Sequence, residues 1–210
     1  MMSMERIAEA LQDGNSVEVA RLTEEALIQG ISPAVILRQG LVAGMDVVGE
    51  KFRRDEFFMP EVLVAAKAMK AAMLVLRPRL IETGARSEGT VVIGTIQGDL
   101  HDIGKNLVGM FMEGAAYRVA DLGVDVSPER FVEAVRTLQP RIVCLSSLLT
   151  TTMSRMRDVI DALSQAGLRD SVKVLVGGAP VTEEFCRDIG ADGYSPDAAG
   201  AVEKARTLRS

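Results

Sequence analysis

Two different rhythms of hydrophobic positions divide the chain. From Met4 to about Glu82 apolar residues recur every three to four positions with no strand-like alternation, which predicts helix throughout. Met4 to Gln12 is amphipathic. Asp13-Gly14-Asn15 makes a turn, and Ser16 is the expected N-cap of a second helix that carries Val17, Val19, Leu22, Ala26 and Leu27 and stops at Gly30. Ser32-Pro33 opens a third, with proline at the first helical position, running through Ile36, Leu41, Met45 and Val48 to about Phe52. A fourth starts near Met59-Pro60-Glu61 and presents Val62, Leu63, Ala66, Met69, Met73 and Leu76. Helices joined by such short turns are expected to pack as an antiparallel four-helix bundle. The small and polar stretch Thr83–Gly89 then reads as a linker.

From Thr90 the pattern changes to short β-branched runs alternating with amphipathic stretches. Strands are predicted at Thr90–Ile96, Tyr117–Asp121, Ile142–Ser146, Val172–Val176 and near Gly193-Tyr194. Helices are predicted at Ile103–Glu113, Pro128–Leu138, Met153–Gln165, Glu183–Ile189 and Ala198–Leu208. This alternation predicts an α/β fold: a Rossmann-like (flavodoxin-like) five-stranded parallel sheet flanked by helices, with right-handed crossovers. The expected domains are 1–85 (helical) and 89–210 (the parallel sheet). In such sheets the ligand crevice lies beyond the carboxyl ends of the strands, which marks the loops to search.

Composition narrows the class. Hydrophobic residues make up 48% and charged residues 25%, a globular balance. Aromatics are 4% and Trp is absent, so the core must be built from Val, Leu, Ile, Ala and Met. The net charge of −5, with no basic run, argues against nucleic acid as a partner. Of the two cysteines, Cys144 reads as a small core residue and Cys186 lies on a predicted helix, its pairing open. Met1-Met2-Ser3-Met4-Glu5-Arg6 has no apolar signal region, and no window approaches the roughly 18 apolar residues of a membrane span. A soluble, cytoplasmic chain with no membrane partner is expected.

The predicted strand ends collect the candidate chemistry. The first loop holds Gly98, Asp99, His101 and Gly104, and His101 is the only histidine in the chain. The third holds Ser146-Ser147-Leu148-Leu149-Thr150-Thr151-Thr152, the fourth Gly177-Gly178 and the fifth Tyr194-Ser195-Pro196-Asp197. Imidazole is a common metal ligand, and its second nitrogen needs a partner; Asp99 is the candidate. Taken alone, a lone histidine is more often an ordinary surface or core residue, hydroxyls often only cap a helix, and a glycine pair is often a plain turn. Gly-x-Gly-x-x-Gly and Gly-x4-Gly-Lys-Ser/Thr are both absent, so phosphate cradles are unsupported. Ser–His–Asp catalysis lacks a nucleophile elbow, and zinc would need three or four ligands. A metal that brings its own equatorial ligands and asks one from the protein fits better, and a corrin-held cobalt is such a metal.

Asp99-x-His101-x-x-Gly104, Ser146-x-Leu148 and Gly177-Gly178, in that order, resemble the three-part cobalamin-binding motif Asp-x-His-x-x-Gly, Ser-x-Leu, Gly-Gly. The helical half, with Phe58-Met59-Pro60-Glu61-Val62-Leu63, is similar to the cap domain of corrinoid methyltransferase proteins. The resemblance covers nearly the whole chain. It is strongest to the small corrinoid proteins of methanol, methylamine and methoxyaromatic methyltransferase systems. Cobalamin-dependent methionine synthase shares the domain pair.

The resemblance implies a cobamide bound base-off, with His101 replacing the lower base as axial ligand of cobalt and Asp99 hydrogen-bonding the imidazole. It implies cofactor contacts from Gly98, Asp102, Ile103 and Gly104 in the first loop. Further contacts are implied for Ser146, Leu148, Thr150, Gly177 and Gly178 along the nucleotide tail, and for Tyr194. Thr152 matches the position where methionine synthase extends the pair to a serine hydroxyl, making Asp99 and Thr152 a candidate proton relay. The implied function is a methyl carrier cycling between cob(I)amide and methylcob(III)amide. A substrate:corrinoid methyltransferase would load it, and a second methyltransferase would unload it to tetrahydrofolate or a thiol. Both partners would be separate chains, so the chain is a component and not a complete enzyme. Phe57, Met59 and Met69 are candidates to cover the methyl face, although core packing accounts for them equally, and hinge motion is expected around Thr83–Gly89. The alternatives are the cobalamin-binding subunit of an adenosylcobalamin-dependent mutase, a cobalamin-based sensor, and a flavodoxin-like domain without cobalt. The helical half weighs against the mutase subunit.

Overall fold

The computed structural model describes residues 4–83 and 88–208. The chain divides into two compact units, Met1–Glu88 with Gly114–Ala116, and Gly89–Glu113 with Tyr117–Ser210. Residues 84–87 of the expected hinge lie outside the described residues.

The first unit is helical: α1 Met4–Gln12, α2 Ser16–Ile28, α3 Pro33–Val35, a π-helical segment Ile36–Val42, α4 Ala43–Arg53 and α5 Met59–Glu82. The third predicted helix is thus one run from α3 to α4 with a widened middle. Gly40 in the widened segment and Gly44 at the start of α4 let the backbone approach α1: a Cβ on Gly40 would stand 3.0 Å from Ile7, and one on Gly44 3.0 Å from the Ala8 carbonyl. The cap of α2 is Asn15, not Ser16. Its side chain accepts from Glu18 N–H at 3.1 Å, and Ser16 is the first helical residue. Ser32 caps α3 through Val35 N–H, and the N–H of Phe58 donates to Glu61 Oε2 at 2.9 Å at the start of α5. α2 packs along α5, and α1 lies on the π segment and α4. Ile7, Leu11, Leu22, Ile36, Leu41 and Leu76 are fully buried, each worth about 1.5–3 kcal/mol. Met69 belongs to this core, so packing accounts for it.

The second unit runs β1 Thr90–Thr95, α6 Ile103–Gly114, β2 Arg118–Asp121, α7 Pro128–Leu138, β3 Ile142–Ser146, α8 Thr150–Met153, α9 Arg155–Gln165, β4 Lys173–Gly177, α10 Glu183–Asp188, β5 Gly193–Tyr194 and α11 Ala198–Thr207. The five strands form one parallel sheet in the order β2-β1-β3-β4-β5, the doubly wound order with its switch point between β1 and β3. Thr95 pairs with Ser146 and Ser146 with Gly177, so three carboxyl ends finish level. Strand interiors read as unbroken apolar runs because helices cover both faces; Phe131, Leu145 and Met156 anchor the core.

Several boundaries shift by a residue from the sequence expectation, and three of the differences bear on the site. Ile96 leaves the strand and bridges Val126, β4 runs one residue further to Gly177, and the helix expected at Met153–Gln165 is two, broken at Ser154. Both cysteines are free and buried, and burial pushes the Cys144 thiol up to about 12. No helix among the described residues is long and apolar enough to cross a membrane.

Candidate functional site

The loops after β1 and β3 meet at the switch point around one carboxylate. Asp99 is fully buried. Its Oδ1 accepts from His101 N–H at 3.0 Å and stands 2.7 Å from His101 Nδ1. Its Oδ2 accepts from Leu148 N–H at 2.7 Å and Leu149 N–H at 3.3 Å, and lies 3.1 Å from the hydroxyls of both Ser147 and Thr152. Burial alone would raise the pKa of Asp99. The N–H groups of His101 and Leu148, the His101 ring and the Thr152 hydroxyl outweigh it and hold the carboxyl well below the usual carboxylate range.

An ionised carboxylate only accepts, which assigns a proton to Nδ1 and leaves Nε2 as the nitrogen available to a metal. The His101 side chain is half exposed, whereas Asp99 has no exposed surface. The backbone of His101 is fixed from beneath, because the buried Thr95 hydroxyl donates to its carbonyl at 2.8 Å. Around the ring the loops expose apolar side chains: Leu100 and Ile103 are 71% and 70% exposed, and Leu148 and Leu149 also face water. Such a cluster asks for an apolar partner.

The two hydroxyls below Asp99 hold two protons between them. Ser147 and Thr152 oxygens are 3.0 Å apart, and each reaches the Leu149 carbonyl, at 3.3 and 3.1 Å. Either can serve Asp99 while the other turns to Leu149.

The fourth loop joins through backbone. Ser147 N–H donates to the Gly177 carbonyl at 3.2 Å. Gly178 has φ +128, and a Cβ there would lie 1.8 Å from the Ser147 carbonyl oxygen, so only glycine fits. At Gly104, by contrast, a Cβ would meet nothing within 4 Å.

The structure therefore brings together Asp99, His101, Leu148 and Thr152, with Gly177 and Gly178 behind them. Gly98 precedes the pair at φ +84. Asp102 accepts from the Asn106 side chain at 3.1 Å and leads into α6, where Ile103 and Gly104 form the first turn. Ser146 ends β3, its carbonyl accepting from Ile96 N–H at 3.1 Å. Thr150 is exposed at the start of α8, and Tyr194 is half-buried in β5, paired with Val176; neither bonds to Asp99. Ser147, Thr95 and Asp125 are the participants the motifs do not mark. A second hydroxyl directly after Ser146, at the end of an apolar strand, is the signal for the first.

Among the described residues no three His, Cys, Asp or Glu side chains gather as a metal cluster. The donor set is one imidazole, steered by a buried carboxylate and rimmed by exposed apolar groups. That set suits a metal whose remaining ligands come from a flat, largely apolar macrocycle.

Comparison with known proteins agrees in both units. Sequence models of the B12 binding domain match residues 89–203 and residues 4–77. Trimethylamine corrinoid protein 1 of Methanosarcina acetivorans is 43% identical over 202 residues, covering 95% of this chain and 94% of that protein. A crystal structure described as a novel cobalamin-binding protein from Desulfitobacterium hafniense superposes with a TM-score of 0.82 at 32% identity, covering 99% and 98% of the two chains. The methanol:cobalamin methyltransferase complex MtaBC from Methanosarcina barkeri matches with a TM-score of 0.84 at 31% identity, over 98% of this chain and 78% of that one. With both units matched and a relative of this identity aligned along nearly its full length, the chain belongs to the family of B12-binding corrinoid proteins.

Proposed function

We propose that this chain is the methyl carrier of a corrinoid-dependent methyltransferase system, receiving a methyl group from one partner enzyme and presenting it to another. The single observation that carries the reading is the buried, multiply bonded Asp99 carboxylate fixing Nδ1 of a half-exposed His101. When bound, a cobamide supplies a cobalt centre able to take up and release a methyl group.

The chain's own residues do the rest. Asp99 keeps the proton on Nδ1, so Nε2 of His101 would be the nitrogen that holds the cobalt. Ser147 and Thr152 hold the other oxygen of Asp99, so the carboxylate stays fixed beneath the imidazole. Leu100, Ile103, Leu148 and Leu149 would cover the apolar corrin face and exclude water. Gly104, with open space where a Cβ would stand, would leave room for the corrin. The loops carrying Ser146, Thr150, Gly177, Gly178 and Tyr194 would hold the nucleotide tail.

The kinship with a trimethylamine corrinoid protein makes a methylated amine the first donor to offer, through a substrate:corrinoid methyltransferase on a separate chain. A second methyltransferase, using tetrahydrofolate or a thiol, would remove the methyl group.

The test is optical. The chain reconstituted anaerobically with methylcobalamin is expected to show imidazole-ligated, base-off spectra, and His101→Ala to lose the imidazole-ligated form. A base-on spectrum in the wild type, or an unchanged spectrum in His101→Ala, overturns the ligation. Failure of the loaded chain to exchange its methyl group with any partner methyltransferase overturns the carrier role.

A further inference from the structure

The loop that carries Asp99 and His101 is fastened from outside the sequence motif. Asp125 lies between β2 and α7 with φ +53, in the left-handed region that residues other than Gly, Asn and Asp avoid. Its Oδ1 accepts from Gly98 N–H at 2.7 Å, and its own N–H donates to the Asp99 carbonyl at 3.0 Å. The two bonds close a ring on the Gly98–Asp99 segment, immediately before the carboxylate that orients the imidazole.

The segment around Asp125 is itself anchored. Thr95 N–H donates to the Gly123 carbonyl and Val126 N–H to the Thr95 carbonyl, both at 3.0 Å, and Val126 is buried. Asp125 is therefore held by the end of β1 while its side chain stays exposed. A left-handed backbone at a residue type that tolerates it, with its carboxylate accepting from one distant N–H, matches backbone and side chain to a specific contact.

We propose that Asp125 is a positioning residue for the axial-ligand site: it sets the Gly98–Asp99 peptide and, through Asp99, the tautomer and aim of the His101 ring. The inference rests on the ligation reading above, and its first arm needs no cofactor. Because His101 is the only histidine, nitrogen-15 histidine labelling of a chain without added histidines reports this ring alone. Long-range proton–nitrogen spectra of the apo protein, taken above the titration range of histidine, read its tautomer directly.

Wild type and Asp125→Asn are expected to show predominantly the Nδ1–H form, since Asn tolerates the left-handed backbone and keeps an oxygen acceptor. Asp125→Ala and Asp125→Gly are expected to gain the Nε2–H form. Reconstituted with cobalamin, they should also show a several-fold smaller imidazole-ligated fraction. Glycine accepts the left-handed backbone that alanine resists, so a loss in the glycine variant isolates the Gly98 contact. Wild-type tautomer and ligation in both Asp125→Ala and Asp125→Gly overturn the inference alone. So does an Asp125→Asn as impaired as Asp125→Ala, or an impairment that merely follows a fall in apo melting temperature. A wild type with the Nδ1–H tautomer but no imidazole ligation overturns the ligation reading, and this role with it.

Discussion

Nδ1 of His101 stands 2.7 Å from Oδ1 of Asp99, joining a half-exposed ring to a carboxylate with no exposed surface. The asymmetry divides the labour: Asp99 is bound by the fold, and His101 is left for something outside it. Asp99 should therefore matter to the protein even before any cofactor is present.

Replacing Asp99 by Asn puts an amide where backbone and hydroxyl donors converge. It should cost the apo protein about 2–4 kcal/mol by denaturant unfolding. The pH dependence has a definite sign. The folded pKa of Asp99 is lowered, so its stabilisation is complete above the unfolded value of about 3.9 and drains away as pH falls through the folded value. Wild-type stability should fall more steeply below about pH 4 than that of Asp99→Asn, and parallel curves would contradict this.

Ser147 and Thr152 stand equally far from Asp99 Oδ2 and share the Leu149 carbonyl, so each should substitute for the other. Ser147→Ala and Thr152→Val are each expected to cost at most about 1 kcal/mol, and the double variant to exceed their sum by about 1 kcal/mol. Strict additivity in the double-mutant cycle would show that the hydroxyls act independently. Thr152→Ser, which keeps the oxygen, should behave as wild type.

Two glycines of the motifs should respond oppositely to alanine. Gly178→Ala meets both a positive φ and the Ser147 carbonyl, and should destabilise by about 2–3 kcal/mol or prevent folding. Gly104→Ala sits in the first turn of α6 with open space around it, so the apo protein should gain about 0.5 kcal/mol. If Gly104 is bare for the corrin, the same variant should load cobalamin less well while melting higher. Equal loading would mean that glycine is not needed there.

Lys105 is almost fully buried, with Nζ 2.5 Å from Asp121 Oδ2 and 2.7 Å from the Asn106 side chain. Its partner Asp121 is 45% exposed, so removing the ammonium leaves a carboxylate that water can reach. Lys105→Met is accordingly expected to cost only about 1 kcal/mol, well short of the 3–5 kcal/mol typical when a buried partner is stranded. A loss as large as that of Asp99→Asn would contradict the argument.

The sheet was legible because its central strands β1, β3 and β4 are buried on both faces and written as β-branched runs separated by helical periods. The ends were less legible. Ile96 is as apolar as Ile93, and only its bridge to Val126 takes it out of the strand. The break at Ser154 leaves no mark on the helical periodicity. At the site, Asp99, His101 and the glycine pair carry chemistry in their residue types, so sequence alone marks them. Ser147 and Asp125 do not: one is a hydroxyl among many, and the other is one acidic residue among 29. Their parts depend on contacts across 48 and 27 positions, which no local pattern encodes.

His101, held by Asp99, is expected to supply the nitrogen that binds the cobalt. Electron paramagnetic resonance of the chain loaded with cob(II)alamin tests it, because the axial nitrogen splits each cobalt line. A triplet from ordinary nitrogen should become a doublet when the chain's only histidine carries nitrogen-15. A triplet that survives labelling would place the cofactor's own base on the metal and contradict the account.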